Sequence, residues 1–186
     1  MPRLIHALIL LLLASPLAAT NQGPLTLRLA ACVLRPVDAN YRLIYGDAVF
    51  MPRLELAYDL SPALSVWAAY GGLKKNGAGP LTGIACRSSQ NFLAAGASFS
   101  TNVSPAIAVR LAAGPMLVFY REEAGEAAAS GNALGADLNA TLSWALSSRL
   151  ALEGRLGWLL AADRVPGGDR FRLGGPWAGL GIAINF

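Results

Sequence analysis

The chain has 186 residues, is 54% hydrophobic and carries a formal net charge of +4. After the N-terminal segment no apolar run reaches the roughly 18 residues that a membrane-spanning helix needs. The small positive excess is spread along the chain, so the charge gives no signal for nucleic-acid binding. The apolar residues alternate with polar ones instead, which is the pattern of β-strands that face two different environments.

Residues 1–19 have the features of an export signal peptide. Arg3 supplies a positive charge, an apolar core follows over 4–14, and Leu17-Ala18-Ala19 precedes a cleavage point. We therefore predict that the mature chain is a single domain over 20–186. The segment that ends at Cys32 matches a lipoprotein cleavage box, but it lies too far from the apolar core, and cleavage there would remove the first predicted strand.

A repeat of about 43 residues organises the mature chain. The segments Asp59–Val66, Asn102–Val109 and Ala145–Leu152 share a Ser-Pro or Ser-Ser pair between two apolar runs. Such a pair between two strand patterns indicates a tight turn. Three turns at this spacing divide the chain into four hairpin-sized units, which predicts eight strands.

Period-two alternation on both sides of each turn gives the strand register. One parity is apolar at almost every position and the other carries the polar and charged residues, as expected for strands with lipid on one face and a narrow lumen on the other. The predicted lipid-facing residues of the first repeat are Leu54, Leu56, Tyr58, Leu60, Leu64, Val66, Ala68 and Tyr70.

The last ten residues form the predicted eighth strand. One face carries Ala178 and ends in an aromatic residue, and the other face is small or polar. The apolar residues that precede the C-terminal aromatic at steps of two are Leu180, Ile182, Ile184 and Phe186.

These patterns predict an all-β fold: an eight-stranded antiparallel transmembrane β-barrel in up-and-down meander order. Short periplasmic turns would alternate with longer extracellular loops over 35–49, 72–90, 120–134 and 162–175. The alternative is a soluble barrel of the lipocalin type, which would turn the apolar face inward and the charged face outward.

In its signal peptide, its four hairpin units and its Phe-ended last strand, the chain resembles the small outer-membrane barrels, the group of the outer membrane protein A transmembrane domain and outer membrane protein X. The resemblance implies a monomer in the outer membrane of a Gram-negative bacterium, inserted by the barrel-assembly machinery. It implies contact with outer-membrane lipid and lipopolysaccharide. Some barrels of this size modify lipid A with a Ser-His pair, but the chain's single histidine, His6, lies in the signal peptide, so we predict no enzyme, no catalytic residues and no cofactor.

Charged residues on the lumen face are the main candidate functional residues. They could form a constriction that selects small solutes in a narrow porin-like channel, or an ion-pair network that fills the lumen, and we favour the network because eight strands leave room for little more than side chains. The set comprises Arg28, Arg53, Glu55, Arg110, Glu153 and Arg155.

The remaining candidates lie towards the predicted loops. Cys32 and Cys86 would meet an oxidising compartment and could form a disulfide. Acidic residues at 122, 123 and 126 are interpreted as solvated loop charge, and we predict no metal site. Basic residues could meet lipopolysaccharide phosphates: Lys74, Lys75, Arg87, Arg164, Arg170 and Arg172. We therefore expect a structural or surface-interaction role.

Overall fold

The computed structural model describes residues 24–164 and 170–186, and the predicted signal peptide at 1–19 lies outside them. Eight strands close into one barrel in sequence order, with β8 pairing back onto β1. All neighbouring strands are antiparallel, which confirms the predicted fold class. The elements are β1 Leu25–Leu34, α1 Ala39–Tyr45, β2 Val49–Asp59, β3 Leu64–Ala78, β4 Ala85–Ser104, β5 Ile107–Ala124, β6 Ala127–Ala145, β7 Leu150–Arg164 and β8 Arg170–Asn185.

The two faces of the barrel differ as the alternation predicts. Large apolar side chains stand exposed around the outside, including Leu111, Leu156 and Leu180 at 58, 64 and 70% exposure. Polar and charged side chains are buried inside, which excludes the lipocalin-type alternative. An exposed apolar belt around a polar interior is the arrangement of a barrel that spans a membrane.

Three equivalent turns join the strands at one end of the barrel, which we call the turn end. In each turn a serine hydroxyl oxygen accepts a hydrogen bond at 3.1 Å from the backbone N–H three residues later. The serines are Ser61, Ser104 and Ser147. These hydroxyl oxygens accept hydrogen bonds from backbone N–H groups in the tight turns. The serine is therefore the physical basis of the 43-residue repeat.

The opposite end, which we call the extended end, differs from the prediction. The segments 72–90 and 120–134 were expected to be loops, but they lie mostly in strands that continue beyond the apolar belt. β5 and β6 are joined by only two residues, and Gly125 takes the positive φ of 59° that this tight turn requires. Continued strand pairing satisfies the backbone hydrogen-bonding groups of these segments better than loops would.

The first connection at the extended end contains the short helix α1. The helix begins after Asp38, whose carboxylate accepts a hydrogen bond from the Tyr41 N–H at 3.0 Å. It ends at Tyr45 and is capped by Gly46, which has a φ of 89°. Across residues 24–164 and 170–186, no helix is both long and apolar enough to cross a membrane.

The C-terminal strand closes the barrel against the first. Phe186 N donates to the Leu25 carbonyl at 2.9 Å, and Thr26 Oγ1 donates to Asn185 Oδ1 at 2.9 Å. Of the predicted C-terminal signal, Leu180, Ile182 and Phe186 are exposed on the outer face. A role in insertion by the assembly machinery stays a prediction.

Candidate functional site: the lumen

Glu55 on β2 is the centre of a buried charge cluster in the lumen. Its side chain is fully buried. Arg110 Nη2 lies 2.6 Å from Glu55 Oε1, Arg28 Nη1 lies 3.4 Å from the same oxygen, Arg53 Nη2 lies 3.7 Å from Oε2, and Arg155 also contacts Oε2. Arginine side chains from strands on different sides of the barrel therefore contact one carboxylate.

A second carboxylate extends the cluster towards the turn end. Glu153 Oε1 lies 3.0 Å from Arg28 Nε and accepts a hydrogen bond from Ser143 Oγ at 3.2 Å. Arg28 thus joins Glu153 to Glu55, and Arg110 donates to Ser98 Oγ at 3.4 Å. The structure brings together all six lumen charges that the alternation predicts.

Asp137 on β6 belongs to the cluster although it was missing from the predicted set. It is fully buried, Arg53 Nη2 lies 2.5 Å from its Oδ2, and Asn139 Nδ2 donates to its Oδ1 at 3.2 Å. Asp137 lies two positions before Asn139 on β6 and has the same inward parity, so applying the strand alternation along the whole of β6 would have found it. The cluster then holds four arginines and three carboxylates.

Two tryptophans pack against the arginines. The Arg53 guanidinium carbon lies 5.8 Å from the ring centre of Trp67 and 5.2 Å from that of Trp177, and Arg155 lies 5.9 Å from Trp177. These are distances at which a guanidinium is attracted to an aromatic face. Gly157 makes room for the indole, because a Cβ there would lie 2.5 Å from Trp177.

Apolar side chains fill the lumen between the charge cluster and the extended end. They are at most 3% exposed and belong to one core cluster. Interiors packed in this way leave little room for water. The residues that fill this part of the lumen are Leu34, Val49, Met51, Leu73, Met116, Val118, Leu159 and Leu173.

Helix α1 covers the lumen at the extended end. Tyr45 Oη donates to Glu122 Oε2 at 2.8 Å, Ser88 Oγ donates to Glu122 Oε1 at 2.6 Å, and the Tyr41 and Ser88 hydroxyls lie 3.1 Å apart. These groups lie beyond the apolar belt, whose last exposed aromatic on β5 is Phe119. Burial raises the pKa of Glu122, and it raises the pKa of Tyr41 to about 12.

The raised pKa of Glu122 predicts a pH dependence of stability. A carboxyl whose folded pKa lies above its ordinary value of 4.5 contributes fully to the free energy of unfolding below that value, and the contribution is lost as pH rises through the folded pKa. We expect Glu122→Gln to gain stability relative to the wild type as pH rises from about 4.5 to 8. Urea unfolding of both proteins across this range measures the difference. The same comparison for Glu123→Gln controls for general loss of a carboxylate, and a wild-type-minus-variant difference that is independent of pH contradicts the prediction.

The turn end of the lumen is open, unlike the extended end. A cavity of 540 Å³ enters between the turns, and Arg28, Arg110 and Glu153 line it. From the turn end inward, the lumen therefore begins as an open polar vestibule and continues through the charge cluster and the apolar filling. It ends beneath α1 at the extended end.

The disulfide that the sequence left open is not formed, since Cys32 and Cys86 are both buried free thiols. Cys32 lies on β1 between its partners Met51 and Gly179. Cys86 is the second residue of β4, which β2 and β3 separate from β1, and its Sγ donates to the carbonyl of Ile84 at 3.4 Å. Two cysteines on non-adjacent strands are not held at the separation that a disulfide needs.

The predicted loop charges do not form one site. Lys74 and Arg87 lie on the paired strands β3 and β4. Glu122 faces Tyr45, whereas Glu123 pairs with Arg121 at 2.8 Å. No group of three potential ligands that could hold a metal ion occurs within the described ranges of the chain.

Fold and site together define a membrane-spanning eight-stranded β-barrel with a charge-filled lumen. Solved outer-membrane barrels are similar to it. Neisserial surface protein A matches with a TM-score of 0.70 and 12% sequence identity over 90% of this chain and 100% of that one. OprG from Pseudomonas aeruginosa matches with a TM-score of 0.66 and 10% identity over 87% of this chain and 95% of that one, and Ail, the attachment invasion locus protein of Yersinia pestis, in complex with the heparin analogue sucrose octasulfate, matches with a TM-score of 0.56 and 10% identity over 87% and 96%. No family model and no curated protein matches the chain. The chain has the fold of the small eight-stranded outer-membrane β-barrels.

Proposed function

We propose that the chain is an integral outer-membrane protein with a structural and surface-interaction role. In this proposal residues 1–19 direct export, the barrel-assembly machinery inserts the barrel as a monomer, and the extended end faces the exterior. The observation that carries the proposal is the filling of the lumen by the charge cluster around Glu55 and, between the cluster and α1, by buried apolar side chains. The protein then acts through its outer surface, in contact with lipid and lipopolysaccharide, and not as an enzyme.

The hairpins of the extended end support surface interaction. β3 and β4 continue beyond the apolar belt to a tip at 79–84, where Leu81 is 97% exposed and Ile84 is 45% exposed. Exposed apolar side chains on a projecting tip are typical of contact surfaces. One similar structure carries the name of a surface protein and another that of an attachment protein.

A narrow channel is the second candidate, and the turn-end vestibule favours it. The cavity already reaches Arg28 and Arg110, and such charges could select ions if the apolar filling above them moved. A channel of this kind would need α1 to leave the extended end as well.

Single-channel conductance distinguishes the two candidates. The mature protein, refolded in detergent and shown to be folded by its heat-dependent gel shift, should give a silent bilayer because the lumen is filled. Arg110→Ala in the same assay is the matched variant. Discrete current steps in the wild type that change in Arg110→Ala would contradict the structural role and establish a small channel.

A further inference from the structure

The barrel wall is interrupted between β2 and β3. Their pairing ends at Arg53 and Gly71, whereas β2 begins at Val49 and β3 continues to Ala78. Pro52 stands at the interruption and has no backbone N–H to donate. Residues 49–52 and 72–78, all within the described chain, are therefore not paired with each other.

Helix α1 covers only the outermost part of this interruption. A Cβ on Gly77 would lie 2.2 Å from the Ile44 carbonyl oxygen, so the end of the helix rests directly on β3 there. Nearer the middle of the barrel, Pro52 and Gly72 are left on the outer surface.

A groove of 980 Å³ crosses the outer face at this level. Its floor is formed by the small residues Ala31, Pro52 and Gly72 on three successive strands, with Ala31 directly opposite Pro52. On one side, Leu29, Leu54 and Tyr70 form the neighbouring row of outward residues, and on the other Val33 pairs with the 61%-exposed Phe50. The walls are apolar and belong to the belt that faces lipid.

The β3 end of the groove is polar. Lys74 lies two residues beyond Gly72 on the same outer face and is exposed. Tyr70 Oη donates to Asn91 Oδ1 at 2.7 Å beside it. A tyrosine followed by a lysine marks the level at which the apolar belt gives way to lipid headgroups.

Two features of the groove identify its occupant. Lys74 can bind a phosphate by a charge-assisted hydrogen bond, and the unpaired backbone edges beside Pro52 and Gly72, below the level of Lys74, need hydrogen-bonding groups at a depth where water is scarce. The lipid A part of lipopolysaccharide carries phosphates on its sugars together with amide and hydroxyl groups where its acyl chains begin, whereas a glycerophospholipid has no such amide or chain hydroxyl. We propose that this groove binds one lipid A, with an acyl chain across Pro52 and Gly72 and a phosphate on Lys74, an inference that rests on the proposed place of the protein in the outer membrane.

Native mass spectrometry of the refolded mature protein in detergent tests the proposal. Purified bisphosphorylated lipid A is titrated, with phosphatidylglycerol in a parallel series because it has a phosphate and acyl chains only. We expect a single lipid A adduct that forms at lower concentration than the phosphatidylglycerol adduct. Lys74→Gln should weaken lipid A binding about fivefold, the effect of one interfacial lysine.

Two pairs of variants control the test. Lys75→Gln removes a charge next to Lys74 but from the other side of the strand, and it should leave binding unchanged. Gly72→Leu fills the groove and should abolish the single adduct, whereas Ala113→Leu adds the same side chain to the outer face of β5. Equal binding of both lipids, or equal effects of Lys74→Gln and Lys75→Gln, would overturn the proposal. The structural role is tested separately by the bilayer conductance, which does not depend on lipid A binding. Failure of the lipid site is therefore distinguishable from failure of the structural role.

Discussion

Replacing Glu55 by glutamine should lower the free energy of unfolding of the barrel by about 3–5 kcal/mol, the usual cost of removing one partner from a buried ion pair. The variant keeps the size of the side chain and removes its charge. Arg28, Arg53, Arg110 and Arg155 would then face only Glu153 and Asp137 in a buried site. Urea unfolding of the protein in lipid vesicles, followed by the heat-dependent gel shift, measures the change.

Glu123→Gln is the matched control for this prediction. Glu123 also pairs with an arginine, Arg121, but the two side chains are 33 and 65% exposed. An exposed ion pair contributes about 0–1 kcal/mol, so this variant should unfold close to the wild type. If Glu55→Gln is as stable as Glu123→Gln but conducts ions, the cluster serves as a gate and does not stabilise the barrel.

The lumen charges could be predicted from the sequence because side-chain direction in a strand has a strict period of two. Once Arg53 and Glu55 were placed inward by the turn at 60–63, the inward position of Glu153 followed from the repeat. The same rule predicts that these groups share a lumen. Which arginine contacts which carboxylate depends on strand tilt and on side-chain rotamers, and alternation does not determine either of them.

The extended end could not be predicted in the same way. Its strands carry alanine, glycine and serine on both faces, as in 127–133, so there is no hydrophobic contrast to indicate pairing. Helix α1 has only seven residues, and its position depends on Tyr45 meeting Glu122, a residue 77 positions away. Long-range contacts of this kind are decided by the closed barrel and not by local sequence.

The close approach of β4 and β5 at Gly96 and Gly114 leads to the second large effect. A Cβ on Gly114 would lie 2.0 Å from the Ala95 carbonyl oxygen, and one on Gly96 would lie 2.1 Å from that of Ala113. The obstacle in both cases is backbone, which cannot move aside without breaking the pairing that resumes at Ala97 and Ala113. We expect Gly114→Ala to cost about 3 kcal/mol, and Gly114→Val to leave no heat-modifiable folded band after refolding.

Gly154→Ala separates this steric effect from the general effect of replacing a glycine in a strand. A Cβ at Gly154 meets nothing within 4 Å, and its φ is not in the left-handed region. Alanine should therefore be neutral or stabilise by about 0.4–1 kcal/mol, because it restricts the unfolded chain. If Gly114→Ala lowers the free energy of unfolding no more than Gly154→Ala does in the same urea titration, β4 and β5 can separate at this point. The barrel wall would then be more compliant than the contact between Gly96 and Gly114 implies.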